Sequence, residues 1–142
     1  MIPVHRLVLM EENWHLRSTE INAGQRLRGA IRISVQREND DAPIEILFGV
    51  ITYPFDSSEE PSQRENYASA NVIYRATFKE AVDLDNEQDW MDVVCGTWAY
   101  ARSELDHLLS GSPVHIPRLP FDIRSQALNT YRRSRAKQQP ER

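Results

Sequence analysis

Apolar and polar residues alternate through much of the first half of the chain and switch to a helical repeat near residue 85. In QRLRGAIRISVQR, residues 25–37, Leu27, Ile31, Ile33 and Val35 share one side while Arg26, Arg28, Arg32, Ser34 and Gln36 share the other. That period of two predicts a half-buried strand. ENDDAP, with Asp40 and Asp41 as turn formers, separates it from IEILFGVITYPF, where the alternation resumes. There Ile44, Ile46, Phe48 and Val50 fall on one face, yet Leu47, Gly49, Ile51 and Tyr53 on the other are also largely apolar. A strand of that kind is either central in a sandwich or partly covered by another chain. In NVIYRATFKEAV, Val72, Tyr74, Ala76 and Phe78 oppose Asn71, Arg75, Thr77 and Lys79, a further half-buried strand. Residues 4–17 are apolar but irregular, which predicts a strand with a kink near Glu11 and Glu12. DSSEEPSQRENYASA is polar and contains a proline, so a long loop is expected there. Four consecutive strands joined this way predict an antiparallel meander.

Asp85 or Asn86 can cap a helix whose first turn holds Glu87 and Asp89, the charges that the positive end of the helix dipole favours. Trp90, Val93, Val94, Thr97, Trp98, Ala101, Leu105, Leu108 and Leu109 then form one broad apolar stripe, ended by Gly111 and Pro113. A four-stranded sheet covered by one long helix is a two-layer α+β solution that leaves the sheet's second face open to question. The stretch from Asp122 to Lys137 permits a shorter helix, with Asp122 as its cap and Leu128 and Tyr131 as weak apolar contacts. The basic end, Arg132, Arg133, Arg135 and Lys137, reads as a solvated, frayed tail. One domain over residues 1–131 and a flexible polar tail over 132–142 is the expected organisation.

Between the two helical stretches lies PVHIPRLPFDI, in which three prolines are interleaved with Ile116, Leu119, Phe121 and Ile123. It cannot be helix, and its apolar content requires something to cover it or to bind it.

Composition narrows the function more by exclusion than by indication. With 142 residues, 40% hydrophobic and 27% charged, the chain matches an ordinary single globular domain. No stretch approaches a membrane span, and the start MIPVHRLVLMEENWHL lacks the pattern of a secretory signal, so a cytoplasmic location is expected. The lone Cys95 rules out a disulfide framework or a Cys-rich zinc site; beside Val94 it reads as a small buried hydrophobe. A net charge of -4 gives no bulk reason to bind nucleic acid or an anionic membrane. There is no phosphate loop, helical zinc-ligand pair or nucleophile elbow. His5, His15, His107 and His115 are scattered over different elements, so no catalytic residue, metal or cofactor is expected. Arg26, Arg28 and Arg32 stand out on one strand face, either solvated and paired with acids such as Glu45 and Glu80 or docking an acidic partner.

The order of elements and the run from Trp98 to Asp122, where WAYARSELDHLL leads into GSPVHIPRLPFDI, resembles the SecB-like export chaperones. Tyr100, Ala101, Arg102, Leu119, Pro120, Phe121 and Asp122 carry the resemblance, while Trp98 and Ala99 replace the family's usual Phe-Pro pair. It implies a homo-oligomer, a dimer or a tetramer built as a dimer of dimers. Helices would pack between dimers, and outer apolar grooves would hold unfolded polypeptide without ATP. PVHIPRLPFDI would help wall such a groove. Clients would be unfolded preproteins in transport, or a dedicated client such as the antitoxin of a toxin-antitoxin module. Housekeeping members present an acidic sheet face to the export ATPase SecA; the arginines here oppose that docking. On this reading Trp14, Phe48, Ile51, Tyr53, Trp90, Leu119 and Phe121 are the candidate client contacts, Arg26, Arg28 and Arg32 the candidate docking residues. Leu119 is expected to stay partly exposed because the flanking prolines limit its packing. A non-catalytic α+β binding module or assembly factor is the alternative, and an enzyme with a pocket between helix and sheet stands third.

Overall fold

The computed structural model describes residues 2, 4–16, 27–54, 68–110 and 118–138. Four strands come first: β1 (Val4–Leu16), β2 (Leu27–Gln36), β3 (Ile44–Pro54) and β4 (Ala68–Phe78). Two helices follow, α1 (Glu87–Leu109) and α2 (Arg124–Gln138). The strands make one antiparallel sheet in the order β1-β4-β3-β2, so the fold is α+β. The meander runs through β2, β3 and β4, and β1 joins on the far side of β4, which leaves β1 and β2 at the edges. Chain adjacency favours adjacency in the sheet without requiring it. Of the polar stretch expected as a loop, residues 68–70 belong to β4. The rest of it, together with Arg26, residues 111–112 and residues 113–117 of the proline-rich run, lies outside the described residues.

The alternation places the core where the sequence predicts it. Ile44, Ile46, Phe48 and Val50 of β3, at most 2% exposed, face the helices with Val72, Tyr74 and Ala76 of β4. Against them α1 lays its stripe of Trp90, Val93, Val94, Thr97, Trp98, Ala101, Leu105 and Leu109. Each large apolar side chain so buried stabilises the fold by about 1.5–3 kcal/mol. The Thr97 hydroxyl is satisfied within the helix, donating to the Val93 carbonyl at 2.8 Å.

Of the two cap candidates the structure uses Asn86, whose side chain accepts from the Asp89 N–H at 3.0 Å. Asp85 instead anchors α2. Its carbonyl accepts from the Tyr131 hydroxyl at 2.8 Å and from Arg135, and its carboxylate lies 3.4 Å from the Arg135 guanidinium. The Tyr131 ring packs on Trp90 with centroids 5.5 Å apart. At the start of α2, Asp122 accepts from the Arg124 N–H at 2.9 Å, and Ile123 and Ala127 enter the core. The helix continues past residue 131, through the basic positions expected in the tail, to Gln138. In the β2–β3 turn the side chain that bonds the backbone is Asn39, accepting from the Asp41 N–H at 3.0 Å.

The kink expected in β1 is a register shift between Leu9 and Glu11. Met10 is the extra residue, and the shift has a consequence for facing. Leu7 and Leu9 pair with Ala76 and Tyr74, and beyond the bulge Glu12 and Trp14 pair with Val72 and Ala70, so all four lie on the helix side.

On the opposite face one transverse row crosses all four strands: Asn13, Asn71, Gly49 and Arg32. Asn71 donates to the Asn13 side chain at 3.1 Å. A Cβ on Gly49 would sit 2.5 Å from the Asn71 side-chain oxygen and 3.6 Å from Arg32 Nε, so the missing side chain is what lets these two groups lie over the strand.

Candidate functional site

Trp98 and Arg102, in the middle of α1, meet the segment that leads into α2. Trp98 is 2% exposed, packs on Phe48 with ring centroids 5.4 Å apart, and donates from its indole to the Pro120 carbonyl at 3.1 Å. One turn later, Arg102 places its guanidinium 4.1 Å from the centroid of Phe121. Between these contacts and α2 the chain is non-helical and bends at Phe121, so side chains two residues apart take opposite sides. Leu119 and Ile123 enter the core, while Phe121 is 83% exposed. Asp122 turns the chain into α2.

Beside this clasp is a shallow cleft of about 310 Å³, walled by Gly29, Ala30, Ile31 and Val50 of the sheet and by Arg118, Leu119, Pro120 and Gln126. Largely apolar walls and backbone groups at a strand edge suit an extended polypeptide better than a compact polar substrate. On α1, burial holds the half-buried Cys95 thiol above its ordinary range, with the Asp122 carboxylate adding to the effect. The thiol is therefore protonated and poorly nucleophilic near neutrality.

The structure sorts the expected client contacts sharply. Phe48, Ile51, Trp90 and Leu119 are buried, at 0%, 6%, 5% and 7% exposure, so they are not contacts available at the surface of the chain. Phe48 and Trp90 are the centre of the sheet–helix core, and Leu119 is directed inward by the same bond that fixes Pro120. The expectation that flanking prolines would keep Leu119 exposed is therefore corrected: Leu119 and Ile123 enter the core, and the bend at Phe121 turns that ring outward. Trp14, 39% exposed on β1, and Phe121 remain accessible. Tyr53 lies in β3 opposite Arg28, and the side chains of both are outside the described residues. Arg32 is exposed on the face turned away from the helices. Glu45, expected as an acid for the β2 arginines, instead pairs with Arg75 of β4 at 3.1 Å.

Three features escaped the sequence. The Trp98–Pro120 bond and the Arg102–Phe121 stack join distant segments and have no local signal. The third is Tyr74: it is 4% exposed, and its hydroxyl has no hydrogen-bond partner among the described residues. Burial first, then Glu104 and Glu12, push its pKa up to about 12.

No family model matches the chain, and no curated protein does. Among solved structures it is similar to the Mycobacterium tuberculosis Rv1957 SecB-like chaperone in complex with a ChAD peptide from the Rv1956 HigA1 antitoxin, at 10% identity and a TM-score of 0.46, covering 83% of this chain and 90% of that one.

Proposed function

We propose that the chain is an ATP-independent holding chaperone that keeps unfolded segments of client polypeptides soluble in an apolar cleft, with an antitoxin or an exported preprotein as client. The observation that carries this reading is the display of Phe121: Trp98, which departs from the family pattern, is bonded to Pro120 of the family-like motif 22 positions on, and the next residue's aromatic ring stands almost fully exposed beside an apolar cleft. An exposed aromatic of this size has no use in the fold itself and matches a surface that captures chains transiently. Trp14, Tyr53 and Phe121 are the client contacts on this reading, and Arg32 with Arg26 and Arg28 docks an acidic partner. SecA is not proposed as that partner, since its family docking face is acidic. Assembly as a dimer or tetramer accompanies the proposal, with the half-buried apolar positions Leu47 and Ile73 on the sheet's second face as motive. Such an interface buries more than roughly 1,000 Å². Sedimentation at micromolar protein checks this, and a 16.5 kDa species there rejects the assembly.

Light scattering by a thermally unfolding client, with and without the protein and without ATP, tests the function. Suppression at near-stoichiometric protein is the expected result. Scattering unchanged at several-fold excess rejects the chaperone reading.

A further inference from the structure

The net charge of -4 conceals a segregation of charge along the chain. α2 holds five cations, Arg124, Arg132, Arg133, Arg135 and Lys137, and no acid, which leaves 12 cations against 21 acids on the rest. Bulk charge therefore understates how basic one surface is. By sequence these residues read as a frayed tail; in a helix that runs to Gln138 they become an array of fixed spacing.

Packing decides which way the array faces. Ala127 is buried and Tyr131 is half-buried against the core, so the opposite side of α2 is turned to solvent. Ser125, Asn129, Arg132, Arg133 and Ala136, at i, i+4, i+7, i+8 and i+11, line that side and are all exposed, with Arg124 and Lys137 at its margins. Arg135 is engaged by Asp85 and Tyr131. Arg124 lies 3.7 Å from Asp122, an exposed pair that holds it only weakly. Arg132, Arg133 and Lys137 have no ion-pair partner among the described residues.

We infer that the outer face of α2 binds the phosphate backbone of double-stranded nucleic acid through Arg132, Arg133 and Lys137, reading no base. Charge complementarity selects a polyanion, and the rest of the face selects among polyanions. It carries no aromatic or large apolar residue, the groups that a protein interface sets at its centre and that a helix lying in a membrane buries. With no aromatic on which a base can stack, a single strand gains nothing there beyond charge. The cations are instead interleaved with Ser125 and Asn129, residue types that hydrogen-bond to phosphate and sugar oxygens. From Arg124 to Lys137 the array spans about 20 Å, a length over which a duplex presents roughly 12 phosphates. The acids elsewhere on the chain repel the backbone, so contact is confined to this helix and is weak, sequence-independent and steep in salt. The inference does not rest on the chaperone reading and uses none of the residues assigned to client or partner there.

The test is fluorescence anisotropy of a labelled duplex DNA of about 20 base pairs and mixed sequence, titrated with the full chain at several salt concentrations. Three phosphate contacts give a slope of log K against log salt near about -2.7, so affinity should fall about fortyfold between roughly 50 and 200 mM. An Arg132→Gln, Arg133→Gln, Lys137→Gln triple variant should keep the native melting temperature, bind at least about tenfold more weakly at the lower salt and lose most of that slope. Duplexes of different sequence, and a duplex RNA of the same length, should bind within a few-fold of one another, because only the shared backbone is read. Binding that is absent at the lower salt, that is flat in salt, or that survives in the triple variant overturns the inference. So does a preference of more than about tenfold for one duplex sequence, since this face supplies no base contact. A polyglutamate peptide, or vesicles containing phosphatidylserine, that binds more tightly than the duplex and displaces it assigns the helix to an acidic protein or a membrane and also overturns it. Should the triple variant not fold, Arg132→Gln alone decides: a slope shallower by about one sustains the inference, and an unchanged slope removes it.

Discussion

The indole N–H of Trp98 reaches the carbonyl of Pro120 at 3.1 Å, and this bond connects the core helix to the segment that displays Phe121. Trp98 is anchored from below by the Phe48 ring, so the position of the exposed aromatic is set by the sheet through two successive contacts. Trp98→Phe keeps most of the apolar packing and removes the donor. It should cost about 1–3 kcal/mol, because the Pro120 carbonyl loses its partner in a partly buried place. Urea denaturation reads that loss, and light scattering should show weaker suppression of client aggregation under conditions where the variant is still folded. Native activity at reduced stability would separate the bond from the display of Phe121.

Leu119 and Phe121 are two residues apart and have opposite roles. Leu119→Ala opens a cavity in the core and should destabilise by about 2–5 kcal/mol. Phe121→Ser touches only the stack with Arg102, worth about 0.5–1 kcal/mol at an exposed site, and should leave the melting temperature nearly unchanged. Aggregation suppression should fall in Phe121→Ser while the fold persists. If both variants unfold alike, the segment is a clasp and nothing more.

The contrast between these two residues also marks how far the sequence could be read. Period-two alternation and the helical stripe depend on neighbours in the chain, so the helix-facing residues of β3 and β4 and those of α1 were legible. The order β1-β4-β3-β2 was not, because all four strands are amphipathic or apolar and pairing at the edge leaves no local mark. Prolines announced that residues 113–120 would be non-helical, but only the long-range bond to Trp98 decides that Leu119 faces in and Phe121 out. Asn86 and Asp85 were both plausible caps by composition; the choice follows from Tyr131 and Arg135 of α2 taking Asp85.

Two glycines should respond to alanine in opposite directions. Gly49→Ala sets a methyl 2.5 Å from the Asn71 side-chain oxygen, so Asn71 must leave its bond to Asn13 and the variant should lose stability, by about 1–3 kcal/mol. Gly96 lies within α1, and a Cβ there meets nothing within 4 Å. Gly96→Ala should therefore gain about 0.5–1 kcal/mol from backbone entropy and helix propensity. Thermal melts of the two variants check both signs. A loss of stability in Gly96→Ala would mean that another chain packs against that face of α1.

Tyr74 gives the protein an alkaline limit whose sign follows from its burial. Its pKa is raised to about 12 in the folded chain, by burial first and then by the Glu104 and Glu12 carboxylates, against 10.0 for the ordinary phenol. Between those values the native state holds a proton that the unfolded state has released, so the unfolded state binds fewer protons and stability falls as pH rises. The contribution is whole below pH 10 and is lost progressively as pH approaches 12. Tyr74→Phe removes the titration and the unpartnered hydroxyl together. At pH 7 it should be neutral or slightly stabilising, since no hydrogen bond is lost and a buried polar atom is removed. Denaturation at pH 7, 10 and 11.5 should then show the native chain losing stability relative to the variant across the last two points. Parallel losses in both proteins would assign the alkaline limit to other groups and leave the Tyr74 hydroxyl partnered by a group that the described residues do not include.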